Sequence, residues 1–502
     1  MDAFKDLVAS RREHGLFLVI AELFPPNGRD VRPLEAFLRA SAEAKSSLPA
    51  GFALAAAAIP QNPRGLAALS PADIYVLLDR KGLWGGLDVI AHVSAKDMNA
   101  EAVKACLYGL RALGLSSLLA VTGDVPAGAR GVFELDAVGL LDLVQDLNFE
   151  SLQQTDPSHW DRAHEFFALA AVSPFKYTEA SLLQQYFKMR KKIAAGAAGL
   201  ITQMGWDARK SEELFRRLGD EKVETPVFGN VFYLASDTPA LKTMAEGKIA
   251  GCLVTPGLYE AVRSEREGEA VERAALQVAM YRDLGAAGVD VGGLPDFACL
   301  AQILARAAEI GPDWKKSRGK IDFGPKAAPG RPAPYYLYAE DGRRLNPSAP
   351  RPTLGKRFFD FSHRALFTPE RGLEPVLRRM IRGSRRVAAG RGPLHRFLRA
   401  AEHGAKSLLF ECEACGDCFL PENFGLCTIG KCEKGLPNPP CGDALPDGLC
   451  GNNPDRRCVA ELIYEAAASE GASGLAALEA RSNPPRDPSL WGSASVINYL
   501  AG

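Results

Sequence analysis

LFLVIAEL, Leu16 to Leu23, holds seven apolar residues and a single acid, Glu22, and is cut off by Pro25 and Pro26. A short apolar run stopped by proline reads as a strand buried on both faces. Seven further runs have the same texture: FALAAAAI (52–59), LDVIAHV (87–93), SLLAVTG (117–123), FALAAV (167–172), GLITQ (199–203), PVFGNVF (226–232) and AGVDVG (287–292). Segments with apolar residues at three- and four-residue spacing lie between them, among them PLEAFLRASAEA, DAVGLLDLVQDL and ASLLQQYFKMRKKIAAG. Near-continuous apolar strands alternating with helices predict a parallel sheet covered by helices. Eight such units in about 300 residues predict a (β/α)8 barrel, with an open doubly wound sheet as the alternative. AGCLVTP (250–256) stands as a candidate ninth strand.

The chain has 502 residues, more than one core accommodates, so two or more domains are expected. Sixty basic residues balance sixty acidic ones, which argues against a general binder of nucleic acid or anionic membrane. MDAFKDLVASRREHG carries no apolar leader, and no run reaches the roughly 18 apolar residues of a membrane span. The expected location is cytoplasmic, where disulfides are rare. Of eleven cysteines, Cys106, Cys252 and Cys299 sit in apolar surroundings as inert core residues, and the other eight fall between Cys412 and Cys458. GPDWKKSRGKIDFGPKAAPGRPAPYYLYAEDGRRLNPSAPRPTLGK separates the two textures. The expected division is a barrel over 1–310, a Pro/Gly-rich linker over 311–369 and a cysteine-rich, helix-containing, metal-organised domain over 370–502.

In a barrel, reactive groups stand at the C-terminal ends of strands. Glu22 ends the first strand, His92 the third, Asp124 follows the fourth and Gln203 ends the sixth. Each also has an ordinary reading, as a helix cap or a strand-end hydrogen-bonding residue. Their placement on one rim is what makes them candidates together.

AELFPP, AHVS, AVTGDVPAG and KKIAAGAAGLITQMGWD, in this order, resemble the flavin-dependent methylenetetrahydrofolate reductases over about Leu16 to Glu309. The resemblance implies a (β/α)8 barrel with a flavin on its C-terminal face, FAD or FMN. It implies Glu22 as the general acid that protonates N10 so that the folate ring opens to an N5 iminium, a task suited to a carboxyl kept neutral by burial. Asp124 would stabilise the iminium and contact the flavin, and Gln203 and Met244 would contact the folate. His92, Lys191 and Lys192 would bind the flavin, although two lysines on a helix also read as a solvated face. The chain departs from the family at Met244, often aromatic in relatives, and at Ala240, often glutamine. Asp296 stands where relatives have arginine, Gln185 where they have an acid, and Thr122 where they have arginine. These changes put the folate-tail contacts and direct hydride uptake from NADH in doubt.

The eight clustered cysteines follow Cys412-x2-Cys415-x2-Cys418-x8-Cys427-x4-Cys432-x8-Cys441-x8-Cys450-x7-Cys458, enough for two sites of four. The compact C-x2-C-x2-C start is similar to a ferredoxin ligand run, while zinc sites use paired knuckles. Iron–sulfur clusters, zinc and a mixture all stay open on spacing alone. CEACGDC…NPPCGD…GLC…C also resembles the small cysteine-rich subunit of acetogen-type methylenetetrahydrofolate reductases, over about Glu374 to Glu470. That resemblance implies two iron–sulfur clusters, of the 4Fe-4S kind, passing electrons to the flavin. The expected function is interconversion of 5,10-methylenetetrahydrofolate and 5-methyltetrahydrofolate in one-carbon metabolism. A redox partner would be ferredoxin-like or an NADH-oxidising subunit, and a homo-oligomer stays open. The alternatives are a structural zinc domain for partner docking, or a methyltetrahydrofolate oxidase in a demethylation pathway.

Overall fold

The computed structural model describes residues 4–154, 165–327, 329–330, 332–367, 372–384, 387 and 390–501. Eight parallel strands close into a barrel in chain order: β1 (Phe17–Glu22), β2 (Phe52–Ile59), β3 (Asp88–Ser94), β4 (Ser117–Val121), β5 (Phe167–Val172), β6 (Gly199–Thr202), β7 (Val227–Phe232) and β8 (Gly288–Gly292). The eight strands expected for a barrel are all present, and β1 pairs with β8 to complete the ring.

Strand side chains alternate between two environments, as a pleat requires. Val19, Ala57, Ala91 and Val291 face the surrounding helices, while Leu18, Ile20, Ala56, Ala58, Ile90, Leu119, Leu169, Ile201 and Phe228 fill the barrel interior. The short helix α1 (Phe4–Ser10) plugs the N-terminal end, with the Phe4 ring 5.7 Å from Phe228 and 5.9 Å from Phe167. Apolar side chains therefore seal the bottom and leave the other mouth for chemistry.

AGCLVTP contains no strand. Its apolar character comes from a satellite cluster in which Cys252 and Val254 pack with Trp206, Leu241 and Met244. The 311–369 stretch is not featureless either. Gly311–Lys320 is 3-10 helical with Trp314 fully buried, Leu337 and Tyr338 are buried on the barrel, and Leu354–Phe367 is a helix. Aromatic anchors among the prolines hold this segment to the barrel wall, a pattern without helical period. The expected boundary between residues 369 and 370 lies outside the described residues.

Candidate functional site

The two-residue alternation predicts which polar side chains enter the mouth. Following Ile20, Ile90, Ile201 and Phe228 by two positions brings Glu22, His92, Gln203 and Asn230 inward, and Asp290 faces inward between the outward Val289 and Val291. The barrel thus changes from apolar to polar in one layer near its C-terminal rim.

Glu22 is the acid of this layer. A β-carbon on Gly292 would run into its Oε2, so the bare glycine across the strand makes its room. Burial, and then the charge of Asp290, push the Glu22 carboxyl well above its ordinary range. Asp290 itself is buried and raised to about 7 by burial, against the hydrogen bond from Asn230 Nδ2 to its Oδ2 at 3.1 Å. Asp290 Oδ1, Asn230 Oδ1 and His92 Nε2 have no partner among the described residues. Burial lowers His92 to about 4, so its ring is neutral at pH 7. Asp290 and Asn230 were missed as site residues, and strand periodicity anchored on Phe228 and Val291 was the signal that would have found them.

Asp124 follows a turn at Gly123, whose φ of +86° suits only glycine and whose absent side chain admits Ser94 and Lys96. Burial, then Asp443, raise the Asp124 carboxyl, while Lys434 and Lys96 act in the opposite direction. Lys434 and Asp443 belong to the cysteine-rich segment, so that segment reaches the barrel mouth. Lys434 Nζ donates to Asp443 Oδ2 at 2.6 Å and to the Gly123 carbonyl at 2.8 Å.

Lys191 and Lys192, on the helix α2 (Glu179–Ala194), are both buried, which removes the solvated-face reading. Burial and then Lys188 lower them to about 8 and about 7. They point apart. Lys192 Nζ donates to the Ala171 carbonyl of β5 at 2.6 Å, while Lys191 lines a small cavity with Asn438, Pro439 and Arg481. Gln203 lies under the 250–256 loop, and its Oε1 accepts from Met204 N at 3.0 Å. Met244 is buried in the satellite cluster beside Trp206 and Phe232. Two departures acquire local reasons. Thr122 Oγ1 accepts from Ala137 N at 3.1 Å at the start of the helix Ala137–Gln154, and Asp296 caps Phe297–Ile310 by accepting from Cys299 N at 2.8 Å.

The C-terminal segment is seated on α2 and the rim. Lys176 Nζ donates to the Ala444 carbonyl at 2.8 Å, Gln184 to Ala460 at 3.0 Å, and Thr178 and Ser181 both donate to Glu461. Asp136, fully buried, accepts from Asn438 N at 2.9 Å and from Lys188 Nζ at 3.4 Å. The eight cysteines divide by electrostatic neighbourhood. Cys412 and Cys415 each feel Cys418 and Cys427, whereas Cys432 feels Cys450, and Cys441 and Cys458 feel Cys432 and each other or Cys450. The first quartet lines one small pocket, partly open to solvent, with Lys406 and Arg486. Donors approach its sulfurs: Arg486 Nη1 lies 3.2 Å from Cys415 Sγ, Ala414 N 3.4 Å from Cys412 Sγ, and Lys406 Nζ 3.8 Å from Cys418 Sγ. Among the described residues, no three His, Cys, Asp or Glu side chains converge on the position of a single metal ion. Burial raises Cys252 to about 12 and Cys299 to about 11, as inert core thiols require. No helix among the described residues is long and apolar enough to cross a membrane.

Residues 10–291 match the family described as methylenetetrahydrofolate reductase, and residues 394–487 match methylene-tetrahydrofolate reductase C terminal. No curated protein matches. Among solved structures, the chain is similar to phosphoenolpyruvate phosphomutase from Streptomyces platensis subsp. rosaceus, at 15% identity, covering 63% of this chain and 89% of that one, with TM-score 0.31. It is also similar to 2,3-dimethylmalate lyase, a PEP mutase/isocitrate lyase superfamily member, at 12% identity, 65% and 90% coverage and TM-score 0.34. The first family match spans more than half of the sequence and contains the whole polar ring of the barrel mouth. The chain belongs to the methylenetetrahydrofolate reductase family and is an oxidoreductase of that class.

Proposed function

We propose that the chain is a flavoenzyme interconverting 5,10-methylenetetrahydrofolate and 5-methyltetrahydrofolate, with electrons exchanged through its cysteine-rich segment. The observation that carries this reading is the seating of that segment on the Gly123–Asp124 turn through Lys434, beside a mouth lined by Glu22, His92 and Gln203.

Glu22 is the general acid. Burial favours the protonated form of its carboxyl, and the proton passes to N10 as the methylene bridge opens. Asp124 would stabilise the N5 iminium with its carboxylate, and Gln203 and Met244 would take the folate. Lys191, Lys192, His92 and Asp124 are the residues that would hold FAD or FMN. The orphaned His92 Nε2 and two buried amines suit a ligand rich in acceptors and anionic oxygens. The flavin, when bound, supplies the hydride chemistry. Cys412, Cys415, Cys418 and Cys427 would hold one iron–sulfur cluster, and Cys432, Cys441, Cys450 and Cys458 a second. Such clusters supply one-electron transfer. A ferredoxin-like or NADH-oxidising protein is the matching electron partner.

The test is flavin, iron and zinc content, with the visible spectrum, of anaerobically purified protein. Several irons per chain and a broad band near ~400 nm are expected. One or two zincs without iron would replace electron relay by a structural docking domain. Assay in both directions with artificial electron carriers separates a reductase from a methyltetrahydrofolate oxidase.

A further inference from the structure

We propose that Asp290 is the positioning partner of Glu22, the two carboxyls holding one proton between them so that Glu22 is in its acid form when N10 must be protonated. The inference rests on the general-acid reading of Glu22 and adds a residue to it.

The geometry is set by β1 and β8. Ile20 pairs with Asp290 across the ladder, so Glu22 stands one inward position above it, opposite Gly292. Glycine at that position removes the side chain that would separate the two acids, and Glu22 Oε2 occupies the space. Facing Glu22 are Asp290 and Gly292 from β8 and Ala58 from β2, its ladder partner. Facing Asp290 are Ile20 from β1 and Asn230 from β7, which pairs with it in register. His92 on β3 is neutral. Among the described residues, no cation acts on either carboxyl.

Two neighbouring buried acids cannot both ionise at modest cost, so one proton is retained. Asn230 decides which carboxyl keeps it. Its amide donates to Asp290 Oδ2, which favours the charged form there and leaves the proton on Glu22. During turnover the proton leaves Glu22 for N10. The N10–methylene bond breaks with its electron pair going to N10, and N5 carries the iminium charge. The pair passes from one proton and one charge to no proton and two charges, and solvent at the mouth returns the proton. In the oxidative direction the same steps run backwards, with Glu22 accepting.

The experiment is infrared difference titration of the full-length protein with its bound groups, following the C=O band of protonated carboxyl between pH 5 and 9. Wild type is expected to retain one such band through neutral pH. Asp290→Asn should move its disappearance down by about one pH unit or more, because the like charge is gone. Glu22→Gln should move the remaining band, that of Asp290, down by a similar amount, since the coupling is mutual. Either variant alone tests the pair if the other fails to fold. Bands unmoved in these variants overturn the proposal. The high-pH limb of kcat should shift with the band in Asp290→Asn while KM for the folate stays unchanged. A band that moves while the kcat limb does not upholds the shared proton and overturns Glu22 as the acid.

Discussion

Lys434 Nζ lies 2.8 Å from the backbone carbonyl of Gly123, which joins the cysteine-rich segment to the turn preceding Asp124. The bond crosses 311 residues of sequence and brings an ammonium group to a carboxyl on the mouth. Burial works against that charge, but Asp443 and Cys441 outweigh it, so Lys434 stays protonated. The charge on the barrel rim is therefore set partly by the cysteine-rich segment.

Lys434→Met leaves the buried Asp443 side chain with Asn452, at 3.0 Å, as its remaining hydrogen-bonding partner among the described residues. Breaking one half of a buried pair costs about 3–5 kcal/mol, so a clear drop in urea midpoint is expected. The double variant Lys434→Met with Asp443→Leu should recover most of it, because no unpaired charge remains. A single-variant loss below about 1 kcal/mol would contradict the pairing.

Asp136→Ala removes the buried acceptor shared by Asn438 N and Lys188 Nζ. The expected consequence is loosening of the C-terminal segment before the barrel, read as earlier proteolytic cleavage after about residue 390 with barrel circular dichroism retained. Simultaneous loss of both signals would show that the two parts unfold as one.

Stability should fall as pH rises from about 4 to about 7. Across that window, from the ordinary carboxylate value of 3.8 to about 7, the Glu22–Asp290 pair holds in the folded state a proton that the unfolded chain has released. The slope is therefore negative across that window. Thermal unfolding of Asp290→Asn should show a shallower decline than wild type. Parallel curves would remove the buried acid as its source.

Cys415→Ser and Cys441→Ser should each empty one quartet and spare the other. Iron per chain is expected to fall by about half in either variant and nearly to zero in both together. Complete loss from one substitution would mean that the eight sulfurs are organised differently.

Glu22→Gln should reduce folate interconversion by roughly 10²–10⁴-fold, the usual contribution of a general acid, with flavin content unchanged. Steady-state assay beside flavin absorbance separates the two readouts. Turnover at the wild-type rate would remove Glu22 from the chemistry.

The barrel was legible because its strands are short and apolar on both faces, and β1 announces itself between Gly15 and the two prolines. Glu22, His92 and Gln203 were legible for the same reason, being polar residues at the ends of apolar runs. Asp290 and Asn230 were not, because each lies inside its strand and looks like a blemish until the inward alternation is followed. AGCLVTP misled because a satellite core needs the same residues as a strand. The docking of the cysteine-rich segment depends on Lys176, Asp136 and Gln184, whose partners lie 268, 302 and 276 residues away. Contacts at that separation leave no local pattern to read.

The bond from Lys176 to Ala444 holds the second quartet's loop to the barrel mouth within one chain. Two-chain arrangements of such parts lose their contact on dilution, and their exchange slows as concentration falls. Here the parts share a covalent tether, so the local concentration of one at the other is fixed by geometry. Any exchange between them is first order in protein, and dissociation is not a means of controlling it.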